Sequence, residues 1–149
     1  MLEIDIQGGD FTYAQRIELG QIFATEMEEY ERYKAVFKCL HDKVPKATPQ
    51  TLDYLKRVVE GLAGWVEKEN TLLNYEPTSE ELKAGIKQLS EEVGTMGTVL
   101  ALARSCFVEP DEVLKWKYSK VFGILLVDLK QHKYQRRFNN VLEDQYKAK

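Results

Sequence analysis

With 149 residues, 44% hydrophobic and 30% charged, the chain has the totals of one folded domain, not those of a disordered or disulfide-stapled protein. The longest apolar run, Val121 to Val127, falls far short of the roughly 20 residues that cross a bilayer. The formal net charge of −3 hides a polarity: residues 1–112 carry 12 Lys/Arg against 21 Asp/Glu, whereas residues 113–149 carry 9 against 3.

Leu2-Glu-Ile-Asp-Ile6 alternates apolar and acidic residues, which predicts a short half-buried β-strand, and Gly8-Gly9-Asp10 then turns the chain. From Tyr13 the period becomes helical, with Ile17, Gly20, Ile22 and Phe23 predicting a short helix to about Ala24. Thr25 and Glu28 match a capping box and predict the start of a second helix, which runs to about Asp42 with Tyr30, Tyr33, Phe37 and Leu40 on one face.

Thr48-Pro49 pairs an N-cap with a proline at the first helical position and opens a third helix to about Asn70. Its stripe is Leu52, Leu55, Val58/Val59, Leu62 and Trp65/Val66. Thr78 and Glu81 repeat the capping-box pattern ahead of Leu82, Ile86, Leu89 and Val93. Gly94 and Gly97 either bend that helix or let another backbone approach closely. Val99 to Phe107 is apolar nearly all round and is expected to be the most buried helix.

Glu109-Pro-Asp-Glu112 starts the last helix, whose stripe is Leu114, Tyr118, Val121/Phe122, Leu125 and Leu129, continued by Tyr134, Phe138 and Val141/Leu142. Unbroken to Tyr146 it would be about 54 Å long, more than so small a body needs, so its end either bends back near Gln131-His132 or projects. Trp65, Leu62, Leu102, Phe122 and Leu125 are the expected core. The predicted architecture is a mainly α single domain over 1–149. It is a helical bundle with a short N-terminal β-strand (1–10, strand and turn) and a long basic C-terminal helical segment (109–149).

Chemistry is hard to find in this chain. Its two histidines, His41 and His132, are far apart, and Cys39 and His41 lie two positions apart, on different sides of a helix. No Glu-x-x-His, Cys-x-x-Cys, P-loop or Gly-x-Gly-x-x-Gly occurs. Gly94-Thr-Met-Gly97 matches the Gly-x-x-Gly loop of nucleic-acid-binding KH modules, but it follows Glu91-Glu92, which would repel phosphates. The expectation is no catalytic residue, no metal and no cofactor. Cys39 and Cys106 in helical patterns, with an acidic start where a signal peptide is basic, predict a reducing cytoplasm.

That leaves surfaces. Lys130-Gln-His-Lys-Tyr-Gln-Arg-Arg-Phe138 interleaves bases with aromatics, as nucleic-acid-binding segments do. On a helix, however, Lys130, Lys133 and Arg137 fall near one side and Tyr134, Phe138 and Leu142 form the adjacent apolar side, which predicts a protein-facing amphipathic helix. An acidic pI near 5.5 points the same way. At the other end, Leu2, Ile4 and Ile6 either pack locally or pair with a strand of another molecule. These seven residues (Leu2, Ile4, Ile6, Lys130, Lys133, Arg136 and Arg137) are the candidate partner contacts. The alternative is a nucleic-acid-associated regulator using the basic C-terminal helix.

The stretches TYAQRIELGQIF (12–23), EMEEYERY (26–33) and EPDEVLKWKYSKVFGILLVDLKQHKYQRRFNNVL (109–142) together resemble the tail assembly chaperones of long-tailed phages and prophages. The resemblance is one of pattern over about half the chain, with no diagnostic motif. It implies a small helical protein of the bacterial host cytoplasm that self-associates and keeps a long tape measure protein soluble during tail assembly.

Overall fold

The computed structural model describes residues 2–149. Among them seven helices follow one another: α1 (Tyr13–Ala24), α2 (Glu29–His41), α3 (Pro49–Leu72), α4 (Ser79–Lys83), α5 (Ile86–Cys106), α6 (Pro110–Lys115) and α7 (Tyr118–Lys147). The chain is mainly α, as its periodicity predicts.

Helix starts follow their caps. Thr48 accepts a hydrogen bond from the Thr51 N–H ahead of Pro49, and Thr78 and Glu81 form the expected reciprocal box. The Thr25/Glu28 box does not form. Thr25 instead closes α1, its N–H donating to Ile22 and its hydroxyl to the Gln21 carbonyl, so α2 begins only at Glu29. A third box, Thr12 with Gln15, opens α1.

The core is built on α3, whose Tyr54, Leu55, Val58, Leu62 and Trp65 are all buried. Trp65 stands edge-on to Phe11, Tyr118 and Phe122, with ring centroids 6.3, 5.1 and 5.2 Å away. Val36, Phe37 and Leu40 of α2 close one side; Val99, Leu102 and Ala103 of α5 and Val113 of α6 add to the same cluster. Each such side chain stabilises the fold by about 1.5–3 kcal/mol. Leu125 is only partly buried, unlike the other four residues expected in the core.

The N-terminal strand is not formed. The isolated antiparallel bridge Thr12–Lys117 is the one β-type pairing among the described residues. Residues 2–5 form no regular element, and they lie along α3 rather than in a sheet. The Ile4 N–H donates to the Tyr54 hydroxyl at 3.1 Å, and the Ile6 carbonyl accepts the Trp65 indole N–H at 2.6 Å. Side chains of α3 thus supply what a neighbouring strand would have supplied. Gly61 makes room, since a Cβ there would stand 2.7 Å from Ile6 Cγ2. Gly9, at φ +72°, turns the chain where a Cβ would meet Ser119 and Trp65 below 3 Å.

The last helical segment is also broken, at Trp116-Lys117. There the Tyr13 N–H donates to the Trp116 carbonyl at 2.9 Å and the Tyr118 N–H to the Phe11 carbonyl at 2.6 Å. These contacts between distant segments take backbone groups that a continuous helix would use. α7 then runs without interruption from Tyr118 to Lys147, about 45 Å. It does not bend near Gln131-His132. Gly94, at φ 51° and ψ −144°, bends α5. The segment expected to be most buried is two-sided, with Leu100 39% and Phe107 95% exposed.

Candidate interaction surface

α7 has two halves. Tyr118, Val121 and Phe122 are buried in the core, and Ile124, Leu125 and Leu126 pack partly against it. From Lys130 onward every residue except Arg136 is exposed. The apolar stripe nevertheless continues along this outer half through Tyr134, Phe138, Val141, Leu142 and Tyr146, which are 44–84% exposed. Tyr134 and Phe138 stack on each other at 6.2 Å, so the stripe has a preformed aromatic centre.

The outer half is tethered by the loop between α3 and α4. Arg136 donates to the Glu76 carbonyl at 3.3 Å and lies 5.8 Å from the Tyr75 ring centroid, while His132 Nε2 stands 3.4 Å from the Tyr75 hydroxyl. Lys130, Lys133 and Arg137 make no ion pair among the described residues; the nearest ion pair on the basic segment is Lys117 with Asp10, before α7 starts. The geometry gives an amphipathic helix held at its base, with an uncovered apolar ridge and cations beside it. No family model, no curated protein and no solved structure matches this chain.

The seven sequence candidates therefore fall into two unconnected groups. Lys130, Lys133, Arg136 and Arg137 share the outer half of α7. At the other end Leu2 is exposed, Ile4 half-buried and Ile6 buried, and Glu3 pairs with Arg57 through two hydrogen bonds of 2.8 and 2.9 Å. With Ile6 spent on α3, this segment offers no ready strand edge.

The thiol and imidazole of Cys39 and His41 face different partners. Burial, with a smaller contribution from Glu18, pushes the Cys39 thiol up to about 12, and its Sγ donates to the Gln15 carbonyl. His41 Nε2 sits 2.8 Å from the Tyr54 hydroxyl. Among the described residues no three His, Cys, Asp or Glu side chains gather as metal ligands, and no helix is long and apolar enough to cross a membrane.

Sequence reading missed one polar constellation. Glu69 accepts hydrogen bonds from both Arg16 and the Tyr118 hydroxyl, tying α1, α3 and α7 together beneath the aromatic cluster. Burial and the bond to Glu69 raise the Tyr118 hydroxyl well above its ordinary pKa. Burial alone would lower the Arg16 guanidinium, but the hydrogen bond and charge of Glu69, together with Tyr118, outweigh it and hold the group above its usual value. The available signal was a carboxylate four positions after Trp65, on the apolar face of α3.

Proposed function

We propose that the protein is a non-enzymatic, cytoplasmic interaction module of the tail assembly chaperone kind, which shelters the apolar faces of a long helical tape measure protein. The observation that carries this reading is the outer half of α7. Its ridge from Tyr134 to Tyr146 is apolar, regular and uncovered, and monomeric surfaces seldom leave such patches without a partner. Helix-on-helix docking needs this arrangement, with anchors at three- and four-residue spacing and charges at the margin. The resemblance of residues 109–142 to those chaperones supports the same reading.

The test is to dilute an aggregation-prone helical segment of a tape measure protein out of denaturant and follow light scattering. The protein should suppress scattering near equimolar ratio, and Phe138→Asp should abolish the effect while leaving the far-ultraviolet circular dichroism unchanged. Scattering unaffected by the wild-type protein, together with salt-sensitive retention of duplex DNA, would establish the nucleic-acid reading instead.

A further inference from the structure

We propose that the apolar cavity between α2 and the start of α3 binds a small monoanionic amphiphile, a medium-chain carboxylate in its simplest form, with the chain inside and the headgroup at Lys46. This site is separate from the ridge on α7 and goes beyond the interaction reading. The cavity encloses about 370 Å³, within the roughly 300–1,000 Å³ of small-molecule sites. Tyr30 and Tyr33 of α2, Leu52 and Leu55 of α3, and Pro45 and Pro49 at the connection wall it. Leu55 is buried, and the two prolines fix φ along the connecting wall, so the cavity stands preformed. The hydroxyls of Thr48 and Thr51 are spent on each other at 2.9 Å, and that of Tyr33 on Glu29 at 3.1 Å. What these walls offer a ligand is chiefly apolar contact.

Charge fixes the class of headgroup. Residues 1–112 are acidic as a whole, yet residues 34–52 carry 4 Lys against 1 Asp. Lys34 and Lys46 line the cavity, and an adjoining one of about 520 Å³, which shares Lys46, Thr48 and Thr51, adds Lys43. Among the described residues no Asp or Glu lines either cavity. Lys34 is already engaged, 3.5 Å from Glu31 and 4.6 Å from the Tyr30 ring centroid. Lys43 and Lys46 make no ion pair among the described residues. The two unpaired ammoniums belong to the connection before α3, whereas Glu29 and Glu31 accompany the α2 wall through Tyr33 and Lys34. An anionic headgroup is drawn to the first and repelled by the second, which sets the direction of the chain. A cationic amphiphile meets the reverse, and a neutral one gains only the apolar contact.

Calorimetric titration of the full-length protein with decanoate, decanol and decyltrimethylammonium, each below its micellar concentration, tests this. Decanoate should bind at one site and at least about tenfold more tightly than the cation, with added salt narrowing the gap. Each methylene added between octanoate and decanoate should tighten binding by up to about fourfold as the chain fills the cavity. Leu52→Glu sets a carboxylate in the cavity at an exposed position and should abolish binding. Lys46→Glu, also exposed, leaves the apolar walls intact and should weaken binding about three- to tenfold. Circular dichroism should be unchanged in both. Phe138→Asp, on the outer half of α7, should bind decanoate as the wild type does. No binding at millimolar decanoate, a preference for the cation or the alcohol, or binding that survives both cavity variants would each overturn the proposal. Loss of binding in Phe138→Asp would place the anion on the basic tail and overturn it as well.

Discussion

The indole N–H of Trp65 donates to the carbonyl of Ile6 at 2.6 Å, across a separation of 59 residues, in a buried site. That bond fixes the N-terminal segment on α3 and gives the Ile6 carbonyl, which also accepts from the Gly9 N–H at 3.0 Å, a second donor. Trp65→Phe should therefore cost at least about 0.5–1.5 kcal/mol, the net range for one intramolecular hydrogen bond. Removing residues 2–7 should likewise lower stability. Urea unfolding followed by circular dichroism measures both; a truncated chain as stable as the full one would show that the segment is not part of the fold.

Arg16, Glu69 and Tyr118 should behave as one unit. Tyr118→Phe and Glu69→Gln each remove hydrogen bonds to a carboxylate whose side chain is about 20% exposed. Their combined cost should fall short of the sum, with a coupling of about 0.5–3 kcal/mol in a double-mutant cycle. Strict additivity would mean that the cluster is not cooperative.

How much of this was legible beforehand depends on where each signal lives. Thr48-Pro49 and Thr78/Glu81 act locally, and both open helices as read. Thr25 carried an equally good pattern, but the end of α1 had already taken its backbone N–H and hydroxyl. The alternation of Leu2 to Ile6 predicted a strand that does not form, although Ile4 and Ile6 do pack on the core. It could not say that the buried face meets a helix, because that depends on Tyr54, Gly61 and Trp65 far along the chain. The break at Trp116-Lys117 has no glycine or proline to announce it and is made by Phe11 and Tyr13. On the candidate surface, amphipathicity of the last helix was plain from its spacing, whereas projection of its outer half follows from an unbroken backbone that the sequence left open.

His41 gives a pH dependence with a definite sign. Burial first, and then the charge of Lys43, hold its imidazole below the ordinary value. Between the folded pKa and the unfolded value of about 6.5 the unfolded chain binds more protons. The contribution to stability is thus complete above about 6.5 and is lost as pH falls below it. The melting temperature should decline between about pH 7 and pH 5, and His41→Gln should flatten that part of the profile. A steeper profile in the variant would contradict the assignment.

Charge reversal at Lys130, Lys133 and Arg137 should weaken association without unfolding the chain, since all three are exposed and unpaired with any acid among the described residues. Rim charges act mainly on association rate, so added salt should weaken the wild type while leaving the reversed variant nearly unaffected. Stopped-flow mixing at two ionic strengths distinguishes the cases; equal salt sensitivity in both proteins would place the relevant charges elsewhere.

The central claim is that the outer half of α7 is a surface for protein helices. Amide hydrogen exchange of the dilute protein, alone and with a tape measure segment, tests it most directly. Alone, residues 131–147 should exchange rapidly, because no core contact holds that part of the helix. With the segment present, protection should appear from Tyr134 to Tyr146 and nowhere comparable in α1 to α3. Protection of the same residues by duplex DNA but not by the helical segment, or client binding that leaves this stretch unprotected, would contradict the account.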